Sequence, residues 1–159
     1  MGLDIYGNIT SGHLGGSYSR LHYCTRYLAL LYCGMPEFLD SKNEVQSMVF
    51  YMSGYIGNKE IIPDRIQSLM QALECSGNLF PNIMLHSDCE GNYTKNGKID
   101  INKNWFHGNS IKLMKELEIL VNEDMFKDEK YSRQIEYTKA FYELVKKEIS
   151  DGSGTIIFS

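Results

Sequence analysis

The chain has 159 residues, a formal net charge of −4 at pH 7, 43% hydrophobic residues and 23% charged residues. These values are typical of a globular protein with one hydrophobic core, and we assign residues 1–159 to a single domain. The negative charge excludes broad, non-specific nucleic-acid binding, which requires an excess of Lys and Arg. The absence of a signal peptide and of any apolar run near the roughly 20 residues of a membrane span predicts a cytoplasmic protein without membrane partners.

The first third of the sequence predicts a strand, a loop and a helix. Leu3–Ile9 alternates apolar and polar residues and is expected to be a strand. Thr10–Gly16 contains three glycines and is expected to be a loop. A helix is expected to follow, with Ser17 or Ser19 as its N-cap and Gly34 at its end.

Two more helices are predicted in the middle of the chain. Ser41-Lys42-Asn43-Glu44 has the pattern of a capping box and is expected to begin the second helix. Pro63 suits the first turn of the third helix, which Gly77 is expected to end. The apolar segment Leu79–Leu85 is interrupted by a proline, so it is either a strand that begins after the proline or an extended buried connection.

The last third predicts a hairpin, two helices and a terminal strand. Asn96-Gly97 is a turn signal and is expected to join two short strands, with Asn102–Gly108 forming a loop after them. Gly108 or Asn109 is expected to cap the fourth helix. A fifth helix is expected over Ser132–Ser150 and a strand over Thr155–Phe158. The expected fold class is therefore α+β, with about five helices packed on a small sheet that includes the N- and C-terminal strands.

The segment His86-Ser87-Asp88-Cys89-Glu90-Gly91 concentrates more chemically active groups than any other part of the chain. His86 and Cys89 have the spacing of half a zinc site, but the sequence offers no clear second half. An EF-hand loop that begins at Asp88 would need Gly and Glu where the chain has Tyr93 and Ile99. We therefore expect no metal and no cofactor.

The same segment is compatible with hydrolysis of a nucleotide-like substrate. Cys89 would be the nucleophile and His86 the base, with His22 or His107 as alternative bases. Asp88 and Glu90 form an alternative acid–base pair. These possibilities remain open beside simple ligand binding.

The leading hypothesis is a pocket for a small polar or anionic ligand, nucleotide-like in character. One wall would be the helix start Ser17–His22, where Arg20 offers two parallel donors to a phosphate or carboxylate. The other wall would be His86–Gly91, with Trp105 stacking on a flat ring. The predicted ligand-binding residues are Ser17, Tyr18, Ser19, Arg20, His22, His86, Ser87, Asp88, Glu90 and Trp105.

Four short blocks of the sequence resemble a family of small, mostly uncharacterised proteins of bacteriophages and bacteria. The blocks are Met1-Gly2-Leu3-Asp4, Gly16-Ser17-Tyr18-Ser19, His86–Gly91 and Ile156-Ile157-Phe158-Ser159. The resemblance implies a phage accessory protein in the host cytoplasm, with a role against host defences, and it implies no particular activity. A third hypothesis is a protein-binding inhibitor, because eleven tyrosines can supply an amphipathic surface.

Overall fold

The computed structural model describes residues 2–9, 12–17, 25, 28, 29, 31, 32, 79–85, 90–102 and 105–159. The strands are β1 (Gly2–Gly7), β2 (His13–Ser17), β3 (Glu90–Thr94), β4 (Asp100–Asn102), β5 (Trp105–Asn109) and β6 (Ile156–Phe158). The helices whose bounds are described are α1 (Ser110–Asn122) and α2 (Ser132–Asp151). Short 3-10 helices are described at Ile83–Leu85, Asp124–Lys127 and Glu129–Tyr131.

The six strands form one mixed sheet in the order β2-β1-β6-β3-β5-β4. Strands β3 and β5 are parallel, and every other neighbouring pair is antiparallel. Ile5 of β1 pairs with Phe158 of β6, and the N–H of Asp4 donates to the carbonyl of Ser159 at 2.8 Å. The predicted α+β class and the expected pairing of the N- and C-terminal strands are therefore confirmed.

The connection from β3 to β5 crosses to the edge of the sheet before it returns. A turn follows β3, in which the N–H of Gly97 donates to the carbonyl of Thr94 at 3.1 Å. The chain then forms the edge strand β4 and comes back as β5, which lies between β4 and β3. The turn at Asn96-Gly97 is confirmed, but the predicted hairpin around it is wrong, because the strand that pairs with β3 is β5.

Two segments that the sequence predicts as loops are strands. His13–Ser17 lies within and just beyond the predicted glycine-rich loop, yet it pairs antiparallel with β1, and Ser17 pairs with Gly2. Ser17 is therefore the last residue of a strand, and the helix start that Ser17 or Ser19 was predicted to cap lies outside the described residues. Most of β5 lies in the predicted loop Asn102–Gly108. In both cases pairing with another strand overrides a weak local pattern.

The described helices agree with the sequence in part. Side-chain Oδ1 of Asn109 accepts from the N–H of Lys112 at 2.9 Å and caps α1 as expected. Helix α2 confirms the fifth predicted helix. Helical residues are also described at positions 25, 28, 29, 31 and 32, within the first predicted helix. The count of about five helices is not supported, since the second and third predicted helices lie outside the described residues.

Leu79–Leu85 is neither a strand nor an extended connection. It forms a turn followed by the 3-10 helix Ile83–Leu85, and Phe80, Ile83 and Leu85 are buried. The proline at position 81 lies in the turn, where its missing N–H costs no hydrogen bond.

Aromatic side chains form the centre of the core between the sheet and the helices. Tyr93, Phe106 and Phe158 project from three adjacent strands, with ring centroids 5.2–5.7 Å apart. Phe141 of α2 contacts this cluster at a centroid distance of 5.9 Å from Phe158. All four side chains are fully buried. Because successive strand residues point to opposite sides, this packing determines which residues lie on the other face of the sheet.

Candidate functional site on the outer face of the sheet

The face of the sheet opposite the aromatic core is polar, and we call it the outer face. Its members among the described residues include Asp4, Tyr6, His13, Ile157, Glu90, Asn92, Thr94, Asp100, Trp105 and His107. They alternate along their strands with buried residues, as the burial of β3 and β5 shows. The outer face is therefore a direct consequence of the strand registers.

Glu90 and Trp105 are neighbours on this face. They are register partners at the first positions of the parallel strands β3 and β5. Paired strands lie about 4.8 Å apart, so the two side chains leave the sheet side by side. Glu90 is exposed and Trp105 is 44% exposed. The structure therefore brings together two residues that the sequence predicted as ligand-binding from separate parts of the chain.

His107 and Asn92 form a hydrogen-bonded pair in the next row of the outer face. They are also register partners, and Nδ1 of His107 lies 2.5 Å from Oδ1 of Asn92. An amide oxygen only accepts, so Nδ1 of His107 carries the hydrogen and donates it. Nε2 of His107 lies 3.5 Å from the hydroxyl of Thr94. The pair leaves the amide nitrogen of Asn92 available, since no described residue accepts from it.

The outer face has acidic character in its described part. Asp4, Glu90 and Asp100 are exposed, and the register partner of Asp100 is His107. Among the described residues, the only side-chain contact of these three carboxylates is between Oδ1 of Asp4 and Nε2 of His13, at 3.1 Å. Groups that donate hydrogen bonds are therefore favoured here, whereas a phosphate directly on these strands would be repelled.

A buried network fixes the segment that leads into β3. The carboxylate of Glu116 accepts from the N–H groups of Asn82 at 2.9 Å and Ile83 at 3.2 Å. The carbonyl of Asn82 accepts from the Tyr93 hydroxyl at 2.6 Å, and its side-chain oxygen accepts from the N–H of Asn109 at 2.8 Å. Asn82 therefore joins α1, β3 and the end of β5 on the core side of the sheet.

Burial raises the pKa of Glu116 to about 7, and the hydrogen bonds from Asn82 and Ile83 offset only part of this effect. Glu116 is 5% exposed, and its carboxylate bonds to Asn82, which also accepts from the inward-facing Tyr93, so it lies on the core side of the sheet. We therefore assign Glu116 a structural role, although a raised carboxyl pKa is also common at catalytic sites.

Most of the other predicted site residues lie outside the described residues. These are Tyr18, Ser19, Arg20 and His22 of the expected helix start, and His86, Ser87, Asp88 and Cys89 of the chemically dense segment. Ser17 is described, but only as the last residue of β2. The pocket between the two predicted walls is therefore a proposal, and the described part of it is Glu90 with Trp105.

Sequence reasoning did not include Asn92 among the site residues, and it considered His107 only as an alternative base. The signal that could have found both is the alternation of small or aromatic residues with polar ones in Glu90–Thr94 and Trp105–Asn109. Two such segments on one sheet place every second residue on a common polar face.

Three further observations on the described residues concern metal binding, membrane-spanning helices and exposed tyrosines. No group of three or more His, Cys, Asp and Glu side chains that could hold a metal ion is found in the part of the chain that the structure describes. No described helix is long and apolar enough to cross a membrane. Among the described tyrosines only Tyr32 is exposed, at 38%, so these residues give the tyrosine-rich inhibitor hypothesis little support.

No protein-family model, curated protein or solved structure matches this chain. The chemistry of the outer face is therefore the basis for assigning a function.

Proposed function

We propose that this protein binds a small, nucleotide-like ligand on the outer face of the sheet. The observation that carries the proposal is the pairing of Glu90 with Trp105, one row from Asn92 and His107. An exposed indole provides a stacking surface for a planar ring, and such stacking contributes about 1–3 kcal/mol per base. The adjacent carboxylate and amide supply directed hydrogen bonds at the edge of the same ring.

The ligand's base is the part that this face accommodates best. A nucleotide phosphate would need cationic partners, and the described outer face presents the carboxylates of Asp4, Glu90 and Asp100. Arg20, on the wall predicted from the sequence, is the proposed phosphate partner. The resemblance to small bacteriophage proteins supports a biological role in sequestering a nucleotide signal of host defence.

The single tryptophan allows a direct binding test. Trp105 is the only source of indole fluorescence, so titration with nucleosides and nucleotides should quench or shift its emission if a base stacks on it. Trp105→Ala should abolish the stabilisation that the same ligands give in thermal unfolding. A ligand at 100 times its dissociation constant stabilises the folded state by about 2.7 kcal/mol, which is readily measured.

A matched control is Ile119→Ala on α1, because Ile119 is 41% exposed and lies on another element. It should leave the ligand-induced stabilisation unchanged. Arg20→Ala should weaken the binding of nucleotides more than the binding of nucleosides. Asp88→Ala tests the other predicted wall of the pocket. If no nucleoside or nucleotide changes the Trp105 emission, the proposed function is wrong.

The His107–Asn92 hydrogen bond favours hydrolysis as a second candidate function. A base whose Nδ1 is oriented by another side chain can accept a proton from a nucleophile through Nε2. In that case His107, rather than His86, is the base.

The test is prolonged incubation of a bound nucleotide followed by chromatography. Product formation that disappears in His107→Gln, while Trp105 emission still responds to the ligand, would support hydrolysis. Intact ligand after incubation with the wild-type protein would exclude hydrolysis of that compound and leave binding as the function.

A further inference from the structure

From the hydrogen-bonding groups beside Trp105, we infer that the base recognised on the outer face is guanine. This inference rests on the proposed function and specifies it. It uses three described residues, Glu90, Asn92 and Trp105, whose relative positions follow from the pairing of β3 with β5.

Glu90 selects for a base that presents two neighbouring donors. An ionised carboxylate only accepts hydrogen bonds, and its two oxygens can accept two parallel ones. The Watson–Crick edge of guanine presents N1–H beside its N2 amino group. Adenine presents one donor beside one acceptor, cytosine presents one donor beside two acceptors, and uracil presents one donor between two acceptors. Guanine is therefore the common base that can donate twice to the carboxylate of Glu90.

Asn92 provides the complementary group for the rest of the guanine edge. It lies two residues after Glu90 on the same strand and the same face. Its side-chain oxygen is engaged by His107 at 2.5 Å, so the amide points its nitrogen, a donor, away from that contact. The O6 atom of guanine is an acceptor. The two carboxylate oxygens of Glu90 thus match the N2 amino group and N1–H of guanine, and the amide nitrogen of Asn92 matches O6.

Trp105 determines where the base lies. Its indole stands beside Glu90 and is 44% exposed, so a ring stacked on the indole brings its edge towards β3. The acidic character of the face agrees with this arrangement, because the contacts that select the base are donated by the ligand. We therefore expect the affinity for a nucleoside or nucleotide to depend on the identity of its base more than on its number of phosphates.

The experiment is a fluorescence titration of Trp105 with guanosine, inosine, adenosine and cytidine. Inosine is the matched ligand, because it lacks only the N2 amino group. We expect guanosine to bind at least about tenfold more tightly than inosine or adenosine, since each comparison removes a hydrogen bond to a charged group.

Glu90→Gln provides the decisive variant. A Gln side chain offers one acceptor and one donor, which match adenine and leave one donor of guanine without a partner. Guanosine affinity should fall at least about tenfold, and the preference should move towards adenosine. Glu143→Gln, an exposed substitution of the same type on α2, is the matched control and should leave both affinities unchanged.

The outcomes separate this inference from the function on which it rests. Equal affinities for all four nucleosides would overturn the guanine assignment while leaving base binding intact. A guanosine preference that survives Glu90→Gln would also overturn it. Absence of any response of Trp105 to nucleosides and nucleotides would remove the proposed function itself.

Discussion

The buried carboxyl group of Glu116 is expected to make the folded protein less stable as the pH rises from about 4.5 to about 7. Its ordinary pKa of 4.5 applies to the unfolded chain, whereas burial raises the folded-state pKa to about 7. Between these values the folded state retains a proton that the unfolded state has lost. The free energy of unfolding therefore falls with rising pH over this range.

The magnitude follows from the two pKa values of Glu116. Each unit of difference between folded and unfolded pKa corresponds to about 1.36 kcal/mol. A rise from 4.5 to about 7 gives a total loss of about 3 kcal/mol, complete slightly above pH 7. This is a large part of the roughly 5–15 kcal/mol by which a typical domain is stable.

The assay is urea unfolding, followed by circular dichroism, at intervals from pH 4.5 to pH 8. Glu116→Gln removes the titrating group, so the difference between wild type and variant should change by about 3 kcal/mol across this range. The variant also loses the hydrogen bond that Ile83 donates at 3.2 Å, which adds a constant offset. Glu143→Gln, at an exposed position, should give a profile parallel to that of the wild type.

Parallel profiles for the wild type and Glu116→Gln would refute the reasoning. They would mean that the hydrogen bonds from Asn82 and Ile83 stabilise the carboxylate enough to cancel the cost of burying its charge. The folded-state pKa of Glu116 would then be close to its ordinary value of 4.5.

Two further substitutions test the packing around β5. Asn109→Asp retains the cap of α1 but removes the amide nitrogen that donates to the carbonyls of Lys95 at 2.9 Å and Gly97 at 3.2 Å. We expect the free energy of unfolding, measured in urea, to fall by about 2–3 kcal/mol. An unchanged midpoint would show that these two bonds contribute nothing. Gly91→Ala would place a Cβ 2.3 Å from the Phe106 ring and should cost about 1–3 kcal/mol. A thermal midpoint equal to that of the wild type would contradict the register of β3 and β5.

The elements that the sequence predicts correctly are those determined by nearby residues. The start of α1 follows from Asn109, whose side chain accepts from an N–H three residues later. The apolar stripe of α2, which includes Phe141 and Val145, repeats with helical spacing and is buried. Neither feature depends on a distant part of the chain.

The strands that the sequence misses depend on their pairing with other strands. β2 contains two glycines, and its pairing with β1 supplies the order that its own residues do not encode. In β5 the next inward-facing residue after Phe106 is Gly108. Because glycine has no side chain, the alternation of apolar and polar residues is hard to recognise in the sequence. A Cβ at Gly108 would lie 2.6 Å from the Tyr93 ring, so glycine is required there by a residue on another strand.

The same limit applies to the candidate site. Glu90 and Trp105 were each identified from local chemistry, but their adjacency follows from the parallel register of β3 and β5. That register requires the chain to cross to β4 and return, which no local signal encodes. A turn at Asn96-Gly97 predicts a simple hairpin instead, and such a hairpin would have separated the two residues.

Core packing also explains why Glu90 is available for binding. Glu90 and Gly91 are consecutive in β3 and therefore point to opposite faces, Gly91 against the Phe106 ring and Glu90 outward beside Trp105. A shift of one residue in this strand would bury the carboxylate among aromatic rings and move Tyr93 out of the core. The hydrogen bond from Tyr93 to the carbonyl of Asn82, at 2.6 Å, opposes the same shift. The contacts that stabilise the core therefore also direct the Glu90 side chain to the outer face.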